Sequence, residues 1–232
     1  MTIKLAVFDI DGTLAKTEEC IPSPISERVR AFENSGLQIV LISGRTASYL
    51  AGLARGMGIN KPLVAGENGG VIFNPLNLWE KRLDIIPPQV IEEIKTILSR
   101  EFGDLWFQPN QTMLTAAPKD LSRIEELHEI IRNLRQVNDY RYKINKYNDA
   151  VEIMPKENSK GKALAVMKDI LDIQSDEVIV FGNTVVDLSM KAETKEFLFI
   201  GDSLKCEGMK NYPCIEDALA FLEKSLTQSL TL

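Results

Sequence analysis

Short apolar runs that each stop abruptly at a polar turn constrain this chain more than any other feature. Residues 3–8, 37–42, 62–65 and 177–181 are such runs, too short for helices and rich in the residue types of buried strands. Between the first three lie stretches with helical signals. Ser23-Pro24 supplies a capping side chain and a first-turn proline, and Arg28, Val29 and Phe32 lead to a stop at Gly36. A second helix runs to about Met57. The order is strand, helix, strand, helix, strand, and right-handed crossovers make those strands parallel neighbours. The tips of the first two then lie side by side, which brings Ser43 near Asp9.

The first run ends at Asp9-Ile10-Asp11-Gly12-Thr13. Side chains alternate along a strand, so the two carboxylates share a direction while the backbone stays extended. Gly12 invites a turn there, at the carboxyl end of a strand, where open α/β sheets bind ligands. Close carboxylates raise the cost of ionising each other, and a hard cation such as Mg²⁺ removes that cost. A solvated loop after a strand is the plain alternative, and two aspartates alone do not decide between them.

The text changes character between about residues 76 and 154. Pro87-Pro88 opens a helix to about Phe102, and a strand covers 112–116. A long helix follows from Pro118 to about Val137, then strands at 141–146 and 149–154. Helices alternating with antiparallel strands read as a small α+β domain inserted into the main one. The doubly wound pattern resumes after 155. Asn158-Ser159 caps a helix whose buried face carries Ala163, Leu164, Val166, Met167 and Ile170, and strands at 177–181 and 196–200 precede a closing helix at 215–225. The expected fold is therefore α/β: a doubly wound, Rossmann-like parallel sheet core (1–75 and 155–232) with an inserted small α+β cap domain (76–154).

Composition narrows the partners. In 232 residues with 44% hydrophobic content there is material for a real core, and a formal charge of −6 argues against a nucleic-acid or anionic-membrane surface. No apolar run approaches the roughly 20 residues that span a bilayer, and the start reads as a strand rather than a signal peptide. Cys20, Cys206 and Cys214 lack metal-type spacing and read as reduced thiols, so the expected location is cytoplasmic. His128 reads as a surface or half-buried residue, and Trp79 and Trp106 as core residues of the insertion.

Polar groups sit where strands end or helices begin: Asp9, Asp11, Thr13, Ser43, Lys160, Asn183 and Asp187. Lys160 stands in the first turn of its helix, where the macrodipole disfavours a cation by about 0.3–1 kcal/mol. A bound anion and Asp9 would offset that cost, whereas snorkelling to water is the ordinary alternative. Lys162 is equally placed by spacing.

Together these stretches resemble the haloacid dehalogenase-like phosphohydrolases, in the subclass (IIB) with an α+β cap between the second and third motifs. The motifs stand here as Asp9-Ile10-Asp11-Gly12-Thr13, Ser43-Gly44-Arg45, Ser159-Lys160-Gly161-Lys162 and Gly182-Asn183-Thr184-Val185-Val186-Asp187, with Gly66-Glu67-Asn68-Gly69-Gly70 at the turn into the cap. Archaeal-type phosphoglycolate phosphatases and sugar-phosphate phosphatases share this pattern. The resemblance selects Lys160 over Lys162. It implies an Mg²⁺-dependent phosphatase for a small phosphorylated metabolite, with Asp9 as nucleophile forming an aspartyl-phosphate and Asp11 as general acid and base. Thr13, Ser43, Gly44, Arg45, Asn68 and Lys160 would meet phosphate or substrate. Asp9, the Asp11 backbone carbonyl and the Asn183–Asp187 loop would hold the metal. Asn183 departs from the pattern by replacing an aspartate ligand with a neutral amide. Two other readings therefore stay open: a phosphomutase, and a metabolite-binding protein impaired in turnover.

Overall fold

The computed structural model describes residues 3–17, 19–138, 141–205 and 209–229; Cys206 lies outside them. The chain divides into two compact units, Met1–Lys81 with Ser159–Leu232, and Arg82–Asn158.

The larger unit is built on an eight-stranded sheet. Its strands are β1 (Leu5–Phe8), β2 (Gln38–Ile42), β3 (Leu63–Gly66), β4 (Val71–Asn74) and β5 (Trp79–Arg82), then β10 (Val178–Gly182), β11 (Glu196–Ile200) and β12 (Lys210–Tyr212). The remaining strands, β6 to β9, belong to the smaller unit. The order across the large sheet is β12-β11-β10-β1-β2-β3-β4-β5. From β12 through β3 every neighbour is parallel, and β4 turns back antiparallel on β3. All four residues of β1 and all five of β10 are buried, as strands covered on both faces must be. The chain goes from β1 outward to β2 and β3 and later returns to β10 on the other side of β1. Strand order thus reverses at β1, and ligands bind outside the carboxyl ends of strands at such a switch point.

Helices α1 (Ser23–Asn34), α2 (Ala47–Gly56), α5 (Lys160–Leu171) and α6 (Ile215–Ser229) belong to this unit. Three local expectations change. Ser23 is the first helical residue of α1 rather than its cap; Pro22 precedes it and no side chain closes that end. Ser159 alone caps α5, accepting from the Lys162 amide at 3.1 Å. Ile170 is 48% exposed, because the buried stripe of α5 follows Ala163, Leu164 and Met167 and has rotated past it.

The smaller unit has a four-stranded antiparallel sheet in the order β6 (Leu105–Phe107), β7 (Leu114–Pro118), β9 (Val151–Pro155), β8 (Tyr142–Lys146). Helices α3 (Pro88–Glu101) and α4 (Ile124–Asn133) share an apolar core with Leu114, Ala116, Val151 and Ile153 of that sheet. The alternate residues make a polar row: Thr115 pairs with Glu152, and Asn145 donates to Glu152 at 3.3 Å. Gln108 and Thr112 are buried here, and the Lys143 ammonium donates to the Asn158 carbonyl oxygen at 2.6 Å. The expected long helix from Pro118 is shorter. Pro118 ends β7, and Asp120 caps a 3-10 turn at Leu121–Arg123 before α4 begins.

The units divide after Lys81 and after Asn158, later than the sequence places the boundaries. Strand β5 stays with the large sheet beside β4, and Asn158 is tied by two hydrogen bonds to the Asp84 backbone. Trp79 and Trp106 are 37% and 50% exposed rather than core residues, since β5 is exposed along its length and the Trp106 side of β6 faces away from the helices. His128 is half-buried, and Cys20 and Cys214 are free thiols.

Candidate active site

Strand β1 delivers Asp9 to the switch point, between the ends of β10 and β2. Just before it Phe8 and Phe181, partners in the β1–β10 register, stack with ring centroids 4.5 Å apart in the core of the larger unit. Set between neighbouring strands, Asp9 is only 5% exposed. A carboxylate so placed needs compensation, and besides the Ile10 amide two side chains donate to it. Lys160 Nζ lies 2.6 Å from Asp9 Oδ1, and the Thr13 hydroxyl donates to Oδ2 at 3.0 Å. Gly12 makes the second contact possible by turning the chain back at φ +85°, a conformation that disfavours a side chain.

Lys160 is the first residue of α5 and points inward between two carboxylates. Its ammonium is also 2.6 Å from Asp187 Oδ1, and all three side chains are nearly sealed from solvent. Gly161 lets the helix come this close: a Cβ there would lie 1.9 Å from the Ser189 carbonyl oxygen. The two ion pairs exceed the small macrodipole cost of a lysine at a helix start. Burial works against the Lys160 charge, yet Asp187 and Asp9 together hold it well above the usual lysine range. Burial pushes Asp9 up to about 6 against the pull of Lys160. Asp187 moves down despite its burial, because Lys160 and Thr184 bond its ionised form.

Asp187 spends its second oxygen on the loop that precedes it. Oδ2 accepts from the amides of Asn183 and Thr184 at 3.0 and 2.9 Å and from the Thr184 hydroxyl at 2.8 Å. This carboxylate therefore shapes the loop and neutralises Lys160, and both its oxygens are engaged by protein donors. Thr184 and Ser189, whose hydroxyl accepts from the Gly161 amide at 3.0 Å, escape a reading by catalytic motif. Their signal in the sequence is only that of short hydroxyl side chains in a turn.

Asp11 takes a different direction from Asp9. Arg45 holds it with two bonds, Nε to Oδ2 at 3.1 Å and Nη2 to Oδ1 at 3.3 Å, with both side chains about one-third exposed. Ser43, Gly44 and Arg45 follow β2, which pairs with β1 in parallel register. The Ser43 hydroxyl accepts from the Arg45 amide at 3.2 Å. The backbone of the next turn fixes this segment, with the Glu67 amide donating to the Arg45 carbonyl oxygen and the Asn68 amide to that of Ser43. Glu67 and Asn68 are buried and both take φ near +55°, a strained pairing for residues other than glycine.

Among the described residues no group of three His, Cys, Asp or Glu side chains is placed to hold a metal ion. A different donor set converges. The inner atom of the Asn183 amide is 3.2 Å from Asp9 Oδ2 and 3.3 Å from the Asp11 carbonyl oxygen. With the amide oxygen in that position, its spacings to the other two oxygens are close to the roughly 3 Å edge of an octahedron with metal–oxygen bonds of about 2.1 Å. One carboxylate, one carbonyl and one amide oxygen are hard ligands that suit Mg²⁺. The cluster therefore joins Asp9, Thr13, Lys160, Asn183 and Asp187 directly, with Asp11 and Arg45 as a pair beside it.

Comparison with known proteins identifies the family and the fold. A family model described as haloacid dehalogenase-like hydrolase matches residues 6–148 and 120–195. The chain is 27% identical over 207 residues to a phosphoglycolate phosphatase of Staphylothermus marinus, covering 83% of each protein. It is 22% identical over 204 residues to the 5-amino-6-(5-phospho-D-ribitylamino)uracil phosphatase YcsE of Bacillus subtilis, covering 82% of this chain and 81% of that one. A haloacid dehalogenase-like hydrolase from Bacteroides thetaiotaomicron shares the fold with a TM-score of 0.78 at 17% identity, over 96% of this chain and 99% of the other. A subclass IIB sugar phosphatase does so with a TM-score of 0.70 at 17% identity, over 95% and 99%. The chain belongs to the haloacid dehalogenase-like hydrolase family.

Proposed function

We propose that this protein is a phosphomonoesterase of subclass IIB type that hydrolyses a small phosphorylated metabolite, of the phosphoglycolate or sugar-phosphate kind, in the cytoplasm. The observation that carries the reading is the Asp9 carboxylate, buried at the switch point with Lys160 at 2.6 Å and the Thr13 hydroxyl at 3.0 Å. The names of the relatives from Staphylothermus and Bacillus support phosphate-ester hydrolysis. Among the described residues no helix is long and apolar enough to cross a membrane.

In the proposed reaction an Asp9 oxygen attacks phosphorus. The new P–O bond forms as the ester P–O bond breaks, leaving an aspartyl-phosphate and an alkoxide that takes its proton from Asp11. Asp11 then removes a proton from water, whose oxygen attacks phosphorus and returns Asp9. To serve the leaving group, the Asp11 carboxyl exchanges its bonds to Arg45 for one to substrate. Lys160 offsets negative charge on the nucleophile and the transferring group, while Thr13, Ser43 and Gly44 donate hydrogen bonds to phosphate oxygens. Asp187 holds Lys160 and the Asn183 loop in place. Arg45 and Asn68 are proposed substrate contacts, and leaving-group selection is assigned to the smaller unit as a cap. Mg²⁺, held by Asp9, the Asp11 carbonyl and the Asn183 amide oxygen, would supply positive charge to the phosphoryl group.

A panel of phosphorylated metabolites assayed with Mg²⁺ for phosphate release tests the reading, with Asp9→Asn as the blank. Release by the natural chain, absent from the blank and abolished by EDTA, is the expected result. Release that persists in Asp9→Asn points to another nucleophile. Asn183 favours one second reading, a binding protein with impaired turnover, and ligand-induced stabilisation without phosphate release at high Mg²⁺ would select it.

A further inference from the structure

The Asn183 amide sits where two orientations have opposite consequences. With its oxygen inward it faces Asp9 Oδ2 at 3.2 Å and the Asp11 carbonyl oxygen at 3.3 Å, both of them acceptors. Its one donor is then the Thr13 hydroxyl at 3.1 Å, which already donates to Asp9 Oδ2 at 3.0 Å. A hydroxyl has a single proton, so it cannot fully serve both. With its nitrogen inward, the same amide donates toward Asp9 Oδ2, the Asp11 carbonyl and Thr13 Oγ1, and the Thr13 proton goes to Asp9. The two amide protons can then serve two of these three acceptors, where the oxygen-inward orientation sets acceptor against acceptor at both Asp9 and Asp11.

We propose that Asn183 is a reversible latch: nitrogen inward, it ties together the oxygens that would bind a divalent cation, and cation binding turns its oxygen inward. The proposal rests on the divalent-ion reading of this site and goes beyond it. An aspartate at 183 could not act this way, because a carboxylate has no donor in either orientation. It would place a further acceptor against Asp9 Oδ2 and the Asp11 carbonyl, a crowding that a cation relieves and that, above the pH at which the two carboxylates share a proton, nothing else at the site does. The surroundings fit an amide held by its contacts. Its other side packs over Gly12, where a Cβ would lie 2.0 Å from Asn183 Nδ2, and its backbone amide is fixed by Asp187 Oδ2 at 3.0 Å. The residue is anchored at the main chain, and rotation about the last side-chain bond exchanges its two polar atoms.

Two measurements test this. The first compares melting temperatures of the natural chain and Asn183→Asp in EDTA and across a Mg²⁺ titration. In EDTA the variant should melt several degrees below the natural chain. With Mg²⁺ it should gain more, and its apparent Mg²⁺ affinity should be at least about tenfold higher. Equal or greater stability of the variant in EDTA overturns the latch. The second follows the Asn183 side-chain NH₂ signals of the natural chain by NMR, assigned by their loss in Asn183→Ala. These signals should shift and lose protection from solvent exchange as Mg²⁺ is added. Signals that stay fixed while Mg²⁺ stabilises Asn183→Asp overturn the rotation. If neither protein responds to Mg²⁺, the divalent-ion reading fails, and with it the proposed rotation.

Discussion

Replacing Lys160 by methionine keeps most of the side chain's bulk and removes its charge from between Asp9 and Asp187. Each carboxylate is 2.6 Å from the ammonium, and all three groups are at most 6% exposed. At an effective dielectric constant of about 20, opposite unit charges at that distance attract by roughly 6 kcal/mol. The variant recovers the desolvation cost of the lysine but leaves two buried carboxylates facing each other. For a broken buried pair the net loss is about 3–5 kcal/mol. That loss should depend on pH. In the variant both carboxyls lose the ammonium that favours ionisation, so their folded-state pKa values rise, Asp9 furthest above the ordinary carboxylate range because Asp187 keeps its Asn183 and Thr184 donors. A raised carboxyl contributes stability below its unfolded pKa and loses it as pH climbs through the folded value. The penalty relative to the natural chain should therefore be smallest near pH 4 and grow toward pH 8. In the natural chain Asp9 at about 6 follows the same sign, while the lowered Asp187 opposes it, so its own profile should be flatter. Urea unfolding in EDTA at pH 4.5, 6 and 8 measures the difference. A penalty below about 1 kcal/mol at pH 8, or one that does not change with pH, would refute the buried-triad reasoning.

Asp187→Asn should cost about 3–5 kcal/mol in urea unfolding, because an amide cannot accept all the bonds that Asp187 receives and leaves Lys160 half-neutralised. Gly161→Ala should lower stability by about 1–3 kcal/mol and reduce phosphate release, since the new methyl pushes α5 and Lys160 off the Ser189 carbonyl. Arg45→Gln should change stability by no more than about 1 kcal/mol, as its pair with Asp11 is one-third exposed. The same variant should raise KM or lower kcat in the phosphatase assay; unchanged kinetics would remove Arg45 from the substrate side of the site.

The central strands and their tips were legible because they obey local rules. A buried apolar run followed by Asp9-Ile10-Asp11-Gly12 is short-range information, whereas the choice of Lys160 over Lys162 came from the family resemblance, because both follow the serine that caps α5. The separate directions of Asp9 and Asp11 were not legible. They depend on Arg45, which reaches Asp11 from the end of another strand. Asp187 was visible as a polar residue near the site, but its fourfold use as an acceptor arises only when its loop closes on Lys160 and Thr184. Strands β5, β6 and β12 escaped a pattern reading for a different reason. Trp79-Glu80-Lys81-Arg82 is an exposed, charged strand, and three-residue strands are too short to show a period.

The position of β1 in the middle of its sheet also bears on how the chain comes off the ribosome. Its partner β2 follows within a few dozen residues, but the opposite edge stays open until β10 emerges, and Lys160 lies 151 positions beyond Asp9. At translation rates of about 5–20 residues per second that interval is roughly eight to thirty seconds. During it the nascent chain carries a short, wholly apolar strand with unpaired backbone on one side, a template for pairing with other chains. Holdase chaperones should therefore engage this protein most strongly while the smaller unit is being made, and release it once the second half of the sheet has been translated.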